Sequence, residues 1–228
     1  MAGKALADAF GESVGQAGRR KRGAVYTPDH VVEWMVTEAL EARLTEALGF
    51  PRHRVRSLLR GRASVGSMEA RALSRVMLDL RVLDPAAGVG AFLIGAARVI
   101  SAAAQSAAAA GAPGLDALFT ARGALQRCCF GFEIDDETAE IATTVILLST
   151  MDCGATDSPR VVSVRNPLAS GLQHPAAPKG WDLVVMNPPY IGEKHIRARL
   201  GADVARSLRD AHGFAPWLGR VRIAHRRG

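Results

Sequence analysis

At 228 residues, with 48% hydrophobic and 22% charged side chains, the chain has the composition of a globular domain with a substantial core and not that of a disordered chain. Three cysteines, two of them adjacent (Cys128 and Cys129), show no C-x-x-C spacing, so neither a disulfide framework nor a zinc site is read and reduced thiols in a cytoplasmic protein are expected. The net charge of +7 is gathered into clusters, and neither a secretory signal nor a membrane span is expected, since the alanine-rich run at 102–110 is interrupted by Gln105 and Ser106.

Residues 1–22 are small, polar and basic without a strong period and are expected to be a flexible lead-in ending in Arg19-Arg20-Lys21-Arg22. Tyr26-Thr27-Pro28 reads as a turn into a helix over 29–48. Val32, Met35, Val36, Ala39, Leu40, Leu44 and Leu48 recur there at helical spacing, with Asp29 as the expected cap. Residues 50–67 read as an arginine-rich connector carrying Arg52, Arg54, Arg56, Arg60 and Arg62, and 68–78 as a short helix. A further basic cluster, Arg220, Arg222, Arg226 and Arg227, closes the chain. Such clusters suit neutralisation of nucleic-acid phosphates, and equally suit a plain solvated surface.

Residues 81–93 read as a short buried strand, a glycine turn and a helix start. Asp84 stands at the strand end, where it can accept from an ammonium group, and Gly88 and Gly90 allow a tight turn close to a ligand. The start of the next helix favours a carboxylate. A ligand bearing both groups, such as the methionine moiety of S-adenosyl-L-methionine, fits the pair; alone, a G-x-G is an ordinary turn. That helix runs through the alanines and stops near Gly111-Ala112-Pro113-Gly114.

A second apolar strand, 128–135, ends in Glu133 and Asp135 ahead of a helical run at 137–148. Glu133 is the candidate for ribose hydroxyls, and Asp135 is expected to cap the helix. A third strand, 161–164, ends at Arg165-Asn166-Pro167-Leu168. The fourth, 183–186, delivers Asn187-Pro188-Pro189-Tyr190 to the sheet edge where open α/β folds bind ligands. The Asn187 side-chain carbonyl and the Pro188 backbone carbonyl supply two acceptors for an exocyclic amino group, and Tyr190 supplies a stacking face. Taken alone, this is a proline-rich turn with a half-buried tyrosine.

Together these segments resemble the amino-group DNA methyltransferases, specifically the N6-adenine class with its cofactor motifs ahead of the catalytic tetrapeptide. The resemblance covers residues from about 23 to 191. It implies an α/β fold: a Rossmann-like methyltransferase sheet, incomplete, with its first four parallel strands and flanking helices. S-adenosyl-L-methionine is the implied cofactor. By resemblance, Tyr26, Thr27 and Pro28 line its pocket, while Asp84, Ala87, Gly88 and Gly90 hold the methionine end and Glu133 the ribose. Asn187, Pro188, Pro189 and Tyr190 would meet an adenine flipped from double-stranded DNA. One departure is Asn166, standing where the family usually has an acid that accepts from the cofactor's adenine amino group; its amide oxygen still accepts, more weakly.

Three segments are expected: the lead-in at 1–22, the N-terminal part of the catalytic domain at 23–191, and a helix with a basic tail at 192–228. Family members continue with three more strands and a DNA-reading region. The expectation is therefore the front of a larger enzyme, either truncated or completed by a separate half or target-recognition subunit. The fourth strand would then be an exposed edge and the isolated chain poorly soluble. The family is often found in restriction-modification or phage-defence systems. Rival readings are an inactive or split fragment, an N4-cytosine enzyme (which more often has Ser where Asn187 stands) and a protein-glutamine methyltransferase, against which Tyr26-Thr27-Pro28 argues.

Overall fold

Strand β1 (Val82–Asp84) is buried along its whole length, as befits a parallel strand covered on both faces. It lies between β2 (Cys129–Glu133) and β4 (Leu183–Val184), and β3 (Val162–Val164) flanks β2. All three pairings are parallel, with Leu83 opposite both Phe130 and Val184. The order β3-β2-β1-β4 means that the chain moves outward from β1 in one direction and then crosses to its other side. That reversal opens a crevice at the C-terminal ends of β1 and β4, the place where such sheets hold ligands. The computed structural model describes residues 27–60, 62–64, 66–150, 162–165, 167 and 171–187. The chain divides after Pro189, and the second unit, Tyr190–Gly228, lies outside the described residues with the expected helix and basic tail.

Helix α1 (Asp29–Leu48) follows the expected period, burying Val32, Val36, Leu40 and Leu44, and Gly49 closes it in the left-handed conformation. Asp29 is not its cap. The Pro28 carbonyl already accepts from the amides of Val31 and Val32, so Pro28 holds the capping position and Asp29 belongs to the first turn, where its charge complements the helix dipole.

The expected connector at 50–67 is a correction of a larger kind, because it contains α2 (Arg52–Leu59). The arginines that disguise it are paired across helices. Arg52 Nε and Arg56 Nε donate to the two oxygens of Glu41 at 2.6 and 2.9 Å, and both arginines also reach Glu38. Glu41 is only 1% exposed. Burial opposes its ionisation, but Arg56 and Arg52 outweigh that and hold the carboxyl below its ordinary value. Arg54 pairs with Glu69 on α3 (Ser67–Asp79) at 2.7 Å. Three of the five arginines in the 52–62 cluster offered for phosphate contact are thus engaged within the domain.

Helix α4 (Ala91–Ala109) packs its small residues into the core. Its length and apolar composition match a bilayer span, but most of it is buried inside the fold. Gly95 lets α1 approach closely, for an added Cβ would lie 2.4 Å from Val32 Cγ1. A 3-10 turn (Asp116–Leu118) and helix α5 (Ala121–Cys128), neither anticipated, lead into β2. Cys128 therefore ends a helix and Cys129 opens the strand. Burial pushes the Cys128 thiol up to about 11 and the Cys129 thiol well above its ordinary value, so both act as apolar packing. Helix α6 (Asp136–Thr150) is capped by Asp135 as expected, its carboxylate accepting from the Thr138 amide at 3.0 Å.

On the other face of β2, Phe130 and Phe132 pack against His174 and Trp181, whose ring centroids lie 5.4 to 6.4 Å away. Loop 171–181 thus covers part of that face. Strand β4 is shorter than expected, although the Val185 amide still donates to the Leu83 carbonyl at 2.9 Å. Among the described residues β4 is the outer strand, with Val184 47% and Met186 42% exposed.

Candidate functional site

The crevice at the sheet's switch point is built from the ends of β1, β2 and β4. Asp84 closes β1 and is 1% exposed. Its Oδ1 accepts from the Ala86 amide at 3.0 Å, while its Oδ2 is buried without a hydrogen-bond partner. Among the described residues only Thr45 Oγ1 and Arg122 Nη1 share that condition, and both belong to helices away from the strand ends. Burial raises the Asp84 carboxyl to about 7; the Ala86 amide opposes the rise and the charge on Glu133 adds to it. A buried acceptor without a donor is costly, and a cationic ligand group would remove that cost. The residues present therefore fit an ammonium-bearing cofactor.

After Asp84 the chain turns through Gly88 at φ 53° and Gly90 at φ 88°, both in the left-handed region. Gly90 is the capping residue of α4, and a Cβ there would come within 2.8 Å of Ile146. The amides of this loop are largely committed. Ala87 N–H donates to the Phe132 carbonyl at 2.9 Å, Gly88 N–H to Glu133 Oε2 at 3.0 Å and Gly90 N–H to the Ala87 carbonyl at 2.8 Å.

Glu133 does more than stand at the end of β2. Its second oxygen accepts from the amides of Ile134 and Asp135, at 2.8 and 3.1 Å, so the carboxylate locks the glycine loop onto the β2 terminus. A carboxylate offers about four acceptor directions, which leaves room for one ligand hydroxyl. The lock escaped the sequence reading, as did Gly131. An added Cβ there would meet Leu93 at 2.8 Å and Ala87 at 3.0 Å, so the missing side chain lets loop and helix sit down on the sheet. A glycine inside an apolar strand was the available signal.

Asn187 follows β4, beside the end of β1. Its Nδ2 donates to Thr27 Oγ1 at 2.9 Å, joining the residues just before α1 to the segment that follows the fourth strand. Pro28 is exposed at the head of α1. Tyr26, Asn166, Pro188, Pro189 and Tyr190 lie outside the described residues. The structure thus gathers Asp84, Ala87, Gly88, Gly90 and Glu133 around one loop, and Thr27 with Asn187 at the neighbouring strand end.

A family model described as N-6 DNA methylase matches residues 64–215, more than half of the chain and inclusive of Asp84, Glu133 and Asn187. No curated protein and no solved structure matches the chain. Thr27 precedes the matched region, so its meeting with Asn187 is a contribution of the tertiary structure.

Proposed function

This chain belongs to the N-6 DNA methylase family, and from that membership we propose that it transfers a methyl group from S-adenosyl-L-methionine to N6 of an adenine flipped out of double-stranded DNA. The observation that carries the proposal is the buried, unpartnered oxygen of Asp84 at the end of β1, with Asn187 emerging from the adjacent strand. The cofactor, when bound, supplies an electrophilic sulfonium methyl. Asp84 accepts from its ammonium group, the Gly88–Gly90 turn lets the backbone come close, and Glu133 accepts a ribose hydroxyl with its remaining capacity. Asn166 accepts, weakly, from the cofactor's adenine amino group, and Tyr26 and Pro28 line the same pocket.

The target base must leave the helix, at a cost of roughly a few kcal/mol. Tyr190 stacks on it, returning about 1–3 kcal/mol. The carbonyls of Asn187 and Pro188 accept hydrogen bonds from the two amino hydrogens and so aim the nitrogen lone pair; once methylated, the nitrogen would release one proton to solvent as the neutral sulfide leaves. Thr27, by accepting from Asn187 Nδ2, fixes the plane of that amide before the base arrives. Rate gain in this arrangement comes from alignment in a water-poor crevice. A cytoplasmic location and a role in restriction-modification or phage defence belong to the same proposal. The test is incubation of the chain with labelled methyl donor and unmethylated genomic DNA, followed by digestion to nucleosides. Labelled N6-methyladenine is the expected product. Labelled N4-methylcytosine, or no incorporation, overturns the assignment.

A further inference from the structure

Asp182 precedes β4 and is held from two directions. Arg43, on α1, donates to its Oδ1 from Nε at 2.9 Å, and its Nη2 forms an ion pair with the same oxygen at 2.8 Å. The Arg81 amide, at the start of β1, donates to its Oδ2 at 2.9 Å. The Arg81 carbonyl in turn accepts from the amides of Asp182 and Leu183, at 2.9 and 3.1 Å. Asp182 is therefore pinned to the sheet through its backbone and to α1 through its side chain. At the other end of β4, Asn187 meets Thr27, just before the same helix begins.

Helix α1 thus runs antiparallel to β4 and is tied to it by polar contacts near both ends. Between those ties the contact is apolar: Val32, Val36, Leu40 and Leu44 face the core. Such a face drives docking but is non-directional. The buried Glu41 ties α1 to α2 rather than to the sheet. An uninterrupted helix rises about 1.5 Å per residue, so fixing Arg43 at the base of β4 decides where Thr27 falls at its tip.

We infer that Arg43 and Asp182 are positioning residues for methyl transfer: their ion pair sets the register of α1 along β4, and through Thr27 the orientation of the Asn187 amide. The inference rests on the proposed grip of Asn187 on the base. The two residues touch neither base nor cofactor and act through a helix of fixed length.

The test is hydrogen exchange read by mass spectrometry on the full chain, with the variants Arg43→Met, Arg43→Lys and Asp182→Asn. Loss of a charge-assisted bond in Arg43→Met is expected to speed exchange about tenfold at residues 31–36 and 185–187, far from the substitution, while α4 and β2 stay as in the parent. Arg43→Lys keeps the charge without the fork and returns part of the protection. Asp182→Asn keeps an acceptor for the Arg81 amide and gives the same pattern at smaller size, which covers the case of an Arg43→Met chain that does not fold. Methyl transfer by Arg43→Met falls about tenfold in kcat with KM for the donor unchanged, as for a lost positioning contact. Faster exchange confined to residues 40–48, or equal everywhere, overturns the inference. Failure of the base-grip reading shows separately, as methyl transfer persisting in Asn187→Ala while the exchange pattern stands.

Discussion

Asn187 and Thr27, 160 positions apart in the chain, share a 2.9 Å hydrogen bond in which the amide Nδ2 donates to the hydroxyl oxygen. This contact joins the residues just ahead of α1 to the segment that follows β4. It gives Thr27 a role beyond the cofactor lining proposed for it, because its hydroxyl oxygen engages the donor half of the Asn187 amide.

Thr27→Val keeps the shape of the side chain and removes the acceptor. Methyl transfer is expected to fall about fivefold, the kinetic equivalent of one hydrogen bond of roughly 1 kcal/mol, with the melting temperature little changed. Asn187→Ala, by contrast, abolishes transfer while donor binding stays near that of the parent. Initial rates and calorimetry with S-adenosylhomocysteine separate the two cases. Equal rates for the parent and Thr27→Val would refute a role for this bond.

The Asp84 carboxyl carries a pH signature. Its folded value, about 7, lies above the ordinary 3.8, so between those limits the folded chain holds a proton that the unfolded chain has released. Its contribution to stability is therefore greatest in acid and declines as pH rises toward about 7, by at most about 1.4 kcal/mol per pH unit. A cationic ligand needs the ionised form, so S-adenosylhomocysteine affinity rises over the same interval. Asp84→Asn removes both dependences. It stabilises the free protein more at pH 8 than at pH 5 and weakens the ligand at both. An affinity that stays flat from pH 5 to 8 in the parent would sink this account.

Gly95→Ala drives a Cβ to within 2.4 Å of Val32 Cγ1. Valine in a helix has essentially one rotamer, so it cannot swing away and α1 must shift. The expected cost is about 1–3 kcal/mol by urea denaturation, and adding Val32→Ala recovers most of it. If the double variant is no more stable than Gly95→Ala alone, the close approach of α1 and α4 does not limit packing there.

Glu41→Gln removes the charge that Arg52 and Arg56 share at a site 1% exposed. Breaking a buried pair in this way costs about 3–5 kcal/mol, and less here because both guanidinium groups reach water. The folded carboxyl lies below its ordinary value of 4.5, so its contribution is present above that pH and is lost as pH falls through the folded value. The stability gap between parent and variant accordingly narrows in acid. Denaturation midpoints at pH 7 and pH 3 check it, and a gap that widens at pH 3 would contradict the pairing.

Local pattern carried much of the fold. The apolar period of α1, the strand-glycine-helix unit around Asp84 and the Asp135 cap each depend on residues a few positions apart, and each was legible as such. Helix α2 was hidden because three arginines dominate its eight residues; the carboxylates that make them tolerable, Glu38, Glu41 and Glu69, come from other helices. Helix α5 and its 3-10 lead-in gave no strong period, being short and half covered.

The candidate site divides along the same line. Residue chemistry and spacing alone singled out Asp84, Gly88, Gly90, Glu133 and Asn187, since strand ends and glycine turns are short-range features. Only the folded chain showed that Glu133 spends three acceptor directions on backbone amides, one of them 45 positions away at Gly88. Only it showed that Arg43 meets Asp182 across 139 positions and that Thr27 meets Asn187. The physical reason is directional: an apolar stripe states that a helix will dock, but a nondirectional force does not choose the register. That choice falls to hydrogen bonds between residues whose separation along the chain carries no periodic trace.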